Sequence, residues 1–230
     1  MDCWLMCHFL DLPGATFKCR TEETALALAP RAARDELAWL GERVPDHPSV
    51  VDPVSRECVV AGRVVTTALA GSSDTEAFFD VWVGPLTSTE TRHGLSYMRV
   101  AREALISEIM AMPTHRLDLP PAHGKRTILQ VLRHVAQAQL WYVSRLKRAR
   151  HEVVIVPQEA ESRPEESLHW LHLAQTAFEA AIAQAAQSAP DCTAMLDPHA
   201  ERWTASKVLY RGIWHDRHHL RAIVESLIDV

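Results

Sequence analysis

The stretch from Trp203 to Leu227 carries Val208, Leu209, Ile213, Leu220, Ile223, Val224 and Leu227 at helical spacing. They form one apolar arc, so this segment is expected to be a long amphipathic helix. On a wheel turning about 100° per residue, His219 falls inside the arc, His215 at its edge and His218 well away from it. Residues four apart stand one above the other on a helix face. His215 and His219 therefore have the spacing of two ligands to one metal ion, and a third ligand must come from elsewhere in the chain.

The same helical texture occurs three times between Gly84-Pro85 and this stretch. Thr87 or Ser88 caps a first helix that runs by Leu95, Met98, Leu105, Ile109 and Met112 to a stop at Pro113. A second is expected from Thr127 to about Arg150, with Ile128, Val131, Leu132, Val135, Tyr142, Val143 and Leu146 on its apolar side. A third spans roughly Glu165 to Gln187. Four amphipathic helices joined by loops imply a four-helix bundle over residues 85–230. The loops after the first two helices exceed the shortest antiparallel turns, so the topology need not be simple up-down.

Residues 1–84 read differently, as a small α+β domain. Cys3 to Leu10 and Thr16 to Arg20 are expected strands around a turn at Asp11-Leu-Pro-Gly14. Thr21-Glu-Glu-Thr opens a helix that runs through Leu26, Ala29, Ala33, Leu37 and Leu40 to Gly41, with Pro30 tolerated near its start. Pro45 to Pro53 is a loop. Glu57 to Thr67 is rich in β-branched residues and reads as a strand, as does Ala77 to Val83. The fold class is thus a β-β-α-β-β unit followed by an all-α bundle. Phe9-Leu-Asp-Leu-Pro-Gly14, Thr21-Glu-Glu-Thr-Ala-Leu26 and the helix to Trp39-Leu40 resemble the small HicB-like antitoxin fold within residues 1–45. That family's usual DNA-binding segment is missing, and the unit is assigned a structural or regulatory role.

Charge and composition exclude several functions. Residues 1–84 carry a net charge of about −6 and residues 85–230 about +1, so neither part offers the basic stripe that nucleic-acid binding demands. No apolar run approaches the roughly 18 residues of a membrane span, and the opening residues lack a signal peptide's pattern. A cytoplasmic location is expected. Five cysteines without a CxxC pair suit reduced thiols. HEXXH is absent because Asp216 and Arg217 occupy the middle positions, and the paired Glu-x-x-His motifs of di-iron bundles are not found.

Of 13 histidines, 11 follow residue 90. His134 sits at the edge of the second helix's apolar arc, beside Val131, Ala138 and Trp141, the place that His215 and His219 occupy on theirs. One histidine from one bundle helix and a His-x-x-x-His pair from another can converge on one ion. Three neutral imidazoles leave a fourth position open, as in catalytic rather than structural zinc sites. Asp216 falls within the apolar arc, which is awkward for a carboxylate. It either orients a ligand histidine as an outer partner or lies at a dimer contact. His169 and His172 lie off their helix's apolar stripe and are expected at the surface.

Leu132-Arg-His134-Val-Ala-Gln-Ala-Gln-Leu-Trp141, set against Trp203-Thr-Ala-Ser-Lys-Val-Leu and His215-Asp-Arg-His-His219, resembles the DinB-like (DinB/YfiT) superfamily of metal-binding four-helix bundles. A tryptophan that the family often places shortly before the second-helix histidine is replaced around Arg126-Thr127. The resemblance implies a divalent metal, zinc or nickel, on His134, His215 and His219, and frequent homodimers. It also implies a small-molecule substrate, with transfer to a low-molecular-weight thiol of the bacillithiol or mycothiol type as the reaction. A metal-dependent hydrolase and a non-catalytic metal- or ligand-binding stress-response module are the alternatives.

Overall fold

The long helices begin where a side chain takes up the unpaired N–H groups of the first turn. Thr21, Thr87 and Thr127 accept hydrogen bonds from the backbone N–H groups of Thr24, Glu90 and Gln130. Glu90 and Gln130 return the bond to the backbone N–H of the cap, completing two capping boxes. Thr204 accepts from Lys207 N–H at the start of the last helix.

The computed structural model describes residues 4–51, 58–65, 77–119, 126–146, 163–187, 195–196 and 201–228. Strands β1 (Leu5–Cys7) and β2 (Phe17–Cys19) pair antiparallel, and helix α1 (Glu22–Gly41) follows, with Pro30 inside it. The bundle comprises α2 (Ser88–Met110), α3 (Ile128–Ser144), α4 (Pro164–Gln187) and α5 (Ala205–Ile228). A short antiparallel pair, β3 (Met195–Leu196) and β4 (Arg202–Trp203), precedes α5. The second bundle helix ends at Ser144, capped by Arg145; the expected continuation over residues 147–150 lies outside the described residues. No helix among the described residues is long and apolar enough to cross a membrane.

Two of the four strands expected in residues 1–84 form. Residues 58–65 of the third are irregular, with Val59, Val60, Val64 and Val65 exposed. β-branched residues favour a strand only where a partner edge and a face to bury exist, and the described residues supply neither. The fourth is replaced by a 3₁₀ turn at Asp80–Trp82. That turn buries Trp82 against Tyr210 and Trp214 of α5, with Phe78 and Phe79 packed around it, so aromatic burial overrides strand propensity. The loop expected from Pro45 to Pro53 contains a helical turn at Pro48–Val51. With only the first strand pair formed, the HicB-like resemblance gains no support.

Helix α5 is the hub. It packs along α2 and α3, touches α4, and meets the 3₁₀ turn Pro13–Ala15 and the Asp80–Trp82 turn. Around the bundle α2 faces α5, α5 faces α3, α3 faces α4 and α4 faces α2. The consecutive helices α2 and α3 are therefore not principal neighbours, and the topology is not up-down. Residues on both sides of Gly84 share one apolar cluster, in which Leu12, Ala15, Leu40 and Val44 join Leu95, Tyr97, Met98, Phe178, Val208 and Ile213.

Every residue from Lys207 to Arg217 is buried, so the charged ones need partners. Asp216 accepts from Arg102 Nε at 2.9 Å and Nη2 at 3.1 Å, while Arg102 Nη1 donates to Leu171 O at 2.8 Å. Arg217 donates from Nε and Nη2 to the two oxygens of Glu36 on α1, each at 2.6 Å. The Trp39 ring lies 3.5 Å beneath its guanidinium. Tyr97 O–H donates to the same Glu36 Oε1 at 2.6 Å. A β-carbon at residue 14 would collide with that oxygen and the Tyr97 hydroxyl, which requires Gly14.

Removing one partner of a buried pair strands the other charge, typically at a cost of 3–5 kcal/mol. Glu36→Ala is therefore expected to lower unfolding free energy by about 3–5 kcal/mol in urea titration. Arg31→Ala, which breaks the exposed pair with Asp35, should change it by less than about 1 kcal/mol.

Candidate metal centre

The packing of α3 against α5 decides which histidines meet. His134, just before the middle of α3, faces the side of α5 that carries His215 and His219. His215 Nε2 lies 3.2 Å from His134 Nε2 and 3.2 Å from His219 Nε2. All three nitrogens fall within 4.8 Å of one another. Tetrahedral coordination at zinc–nitrogen distances of 2.0–2.1 Å sets neighbouring nitrogens about 3.3 Å apart. The two spacings at His215 are close to that, so the three residues form a group that could hold one ion of that size.

The surroundings suit neutral imidazoles. Burial is the largest influence on each ring and holds His134 down to about 4 and His219 to about 3, with help from the positive charges of Arg126 and His218. His215, fully enclosed, is pushed well below the ordinary histidine range, first by burial and then by its two neighbours. All three rings are unprotonated at neutral pH and present lone pairs, the form in which histidine binds metal. Tyr142 and Trp214 wall the site, their rings 6.0 and 5.9 Å from that of His215. Arg211, one turn before His215, is buried, donates to the Tyr142 hydroxyl at 3.4 Å and lies 4.2 Å over Trp214.

Asp216 departs from expectation. Both its oxygens accept from Arg102 on α2, so it braces α5 rather than orienting a ligand histidine. His215 Nδ1 is buried with no hydrogen-bond partner, and the ring is held by the Tyr142 and Trp214 walls instead. His218 is exposed and stacks on Trp214 at 5.4 Å. Its ring is 5.2 Å from that of His219, so it stands at the rim although helical phase alone sets it apart. His169 and His172 are exposed on α4.

Arg102, Glu36 and Arg217, which fix α5, were not singled out by the apolar pattern, yet the signal is present. Arg102 occupies the stripe of Leu95, Met98, Leu105 and Ile109, and Glu36 that of Ala29, Ala33 and Leu40. A charge on a core stripe implies a buried partner of opposite sign on a facing stripe. Asp216 is that partner for Arg102.

The depressed imidazoles have a consequence for stability. Unfolded histidine titrates near pH 6.5, so below that the unfolded chain takes up protons that the folded site refuses. Stability is therefore intact above about pH 6.5 and lost as the pH falls toward the folded values near 4 and 3. Urea midpoints of protein kept metal-free with a chelator should fall between pH 6.5 and 4. In His134→Ala/His219→Ala the fall should be clearly shallower; an identical slope would contradict the burial of these rings.

The model of the DinB superfamily matches residues 97–223, a span that contains His134, His215 and His219. The chain is also similar to TT2238, a four-helix bundle protein of known crystal structure, at 24% identity and a TM-score of 0.47. The likeness covers 59% of this chain and 98% of that one. No curated protein matches it. Because the family match takes in more than half of its length, from the middle of α2 to the last turns of α5, the chain belongs to the DinB superfamily.

Proposed function

We propose that His134, His215 and His219 hold a divalent metal ion and that the protein is a metal-dependent transferase acting with a low-molecular-weight thiol. The observation that carries the reading is the convergence of three uncharged imidazoles from α3 and α5, with His215 Nε2 at 3.2 Å from Nε2 of both His134 and His219. Imidazole donors suit zinc and nickel among the available divalent ions. The ion, when bound, supplies a Lewis acid that lowers the pKa of a thiol taken into the position the three histidines leave open.

The chain supplies the rest. Burial keeps the three rings neutral, so they do not compete with the incoming group for protons. Tyr142 and Trp214 exclude water from the inner side of the site. Among the described residues the cluster consists of histidines alone. A thiol titrating near 8.5 needs far less assistance than a water molecule, which favours thiol transfer over hydrolysis.

Elemental analysis of the purified protein tests the foundation. One equivalent of zinc or nickel per chain is expected in the wild type, and less than about a tenth in His215→Ala. Absence of stoichiometric metal from both would sink the reading. With metal present, conjugation of low-molecular-weight thiols to an electrophile, measured by loss of free thiol, should occur in the wild type and vanish in His134→Ala. Retained metal without thiol transfer or ester hydrolysis would identify a binding module instead.

A further inference from the structure

Arg126, Gln130, Arg133, His134 and Gln137 line an open cleft of about 370 Å³. They follow one another along one flank of α3 and the residue just before its cap, at steps that keep them on the same side of the helix. His134 belongs to both the cleft and the three-histidine cluster, so a molecule seated in the cleft lies against the His134 edge of that cluster. The positive charge of Arg126 reaches across this space and bears on both His134 and His219.

The lining is rich in donors. Gln130 Oε1 is committed to the Thr127 backbone N–H at 2.9 Å, which leaves its NH₂ group as the end able to meet a ligand. Arg126 and Arg133 add two guanidinium groups, and among the described lining residues there is no Asp or Glu. A guanidinium fork matches the two oxygens of a carboxylate or phosphate with parallel charge-assisted hydrogen bonds. A cationic molecule would be repelled by the same two groups.

We propose that this cleft is the substrate's anion subsite, in which Arg126 and Arg133 bind a carboxylate or phosphate group and thereby present the rest of the molecule to the three histidines. The proposal rests on the reading of the histidine cluster as the place of reaction, but the subsite itself is tested without it. Succinate, inorganic phosphate and neutral succinamide are titrated by calorimetry into the protein as purified, into Arg126→Gln/Arg133→Gln and into His215→Ala, with metal content measured on each sample.

Succinate or phosphate should bind the wild type at least about tenfold more tightly than succinamide, the tighter of the two naming the group. This preference should survive in His215→Ala and disappear in the double arginine variant, whose metal content is unchanged. Equal affinity for succinamide, or no binding at all, would overturn the subsite. So would an anion preference that persists without the arginines and is lost in His215→Ala, because the anion would then be a ligand of the ion itself. Lack of metal in every sample, with the arginine-dependent preference intact, would defeat the thiol-transfer reading and leave the subsite standing.

Discussion

A helix that is buried on nearly all sides cannot carry charge unless each charge is met, and α5 carries several. Lys207, Arg211, Asp216 and Arg217 all lie within its enclosed stretch. Lys207 donates to Arg202 O at 2.9 Å and lies 4.1 Å from the Trp203 ring. Asp216 and Arg217 are answered by Arg102 and Glu36. The rest of the architecture follows from this requirement. The bundle supplies one set of partners, and the residues before Gly84 supply the other while covering the face of α5 that the bundle leaves open, through Thr16 on Tyr210 at 2.6 Å and Trp82 on Tyr210 and Trp214.

The two ion pairs also govern the site. Adjacent residues on a helix point about 100° apart, so Asp216 tied to α2 and Arg217 tied to α1 fix the rotation of α5 from two directions. His215 and His219 are carried on the same turns and inherit that setting, toward α3. Buried pairs of this kind add little net stability over apolar packing. Their contribution here is directional, since an apolar substitute would leave α5 freer to turn about its axis.

The helices of the bundle were legible in the sequence because apolar spacing marks each one and threonine caps agree with it at α2, α3 and α5. The three histidines were legible for a related reason, each lying on or beside an apolar arc. Asp216 was misassigned because a sequence shows that a carboxylate is buried but not which of several cations reaches it. The described part of the strand expected at 57–67, residues 58–65, and the strand expected at 77–83 fail on a similar ground. Valine-rich segments report a tendency to extend, whereas the partner edge that makes a strand is a property of the whole fold. His218 lies beyond reach of a wheel diagram because its link to the site runs through the Trp214 ring rather than along helical phase.

The diagonal placement of α2 and α3 has a further consequence for how the protein comes together. His134 and His215 are 81 residues apart in the chain, and the helix between them, α4, packs on α3 at a different flank. A chain with only neighbouring helices docked can offer an ion no more than the two imidazoles of α5. The three imidazoles come together only when the last helix has docked on α3 across those 81 residues, so the complete cluster is a product of long-range packing rather than of any local segment.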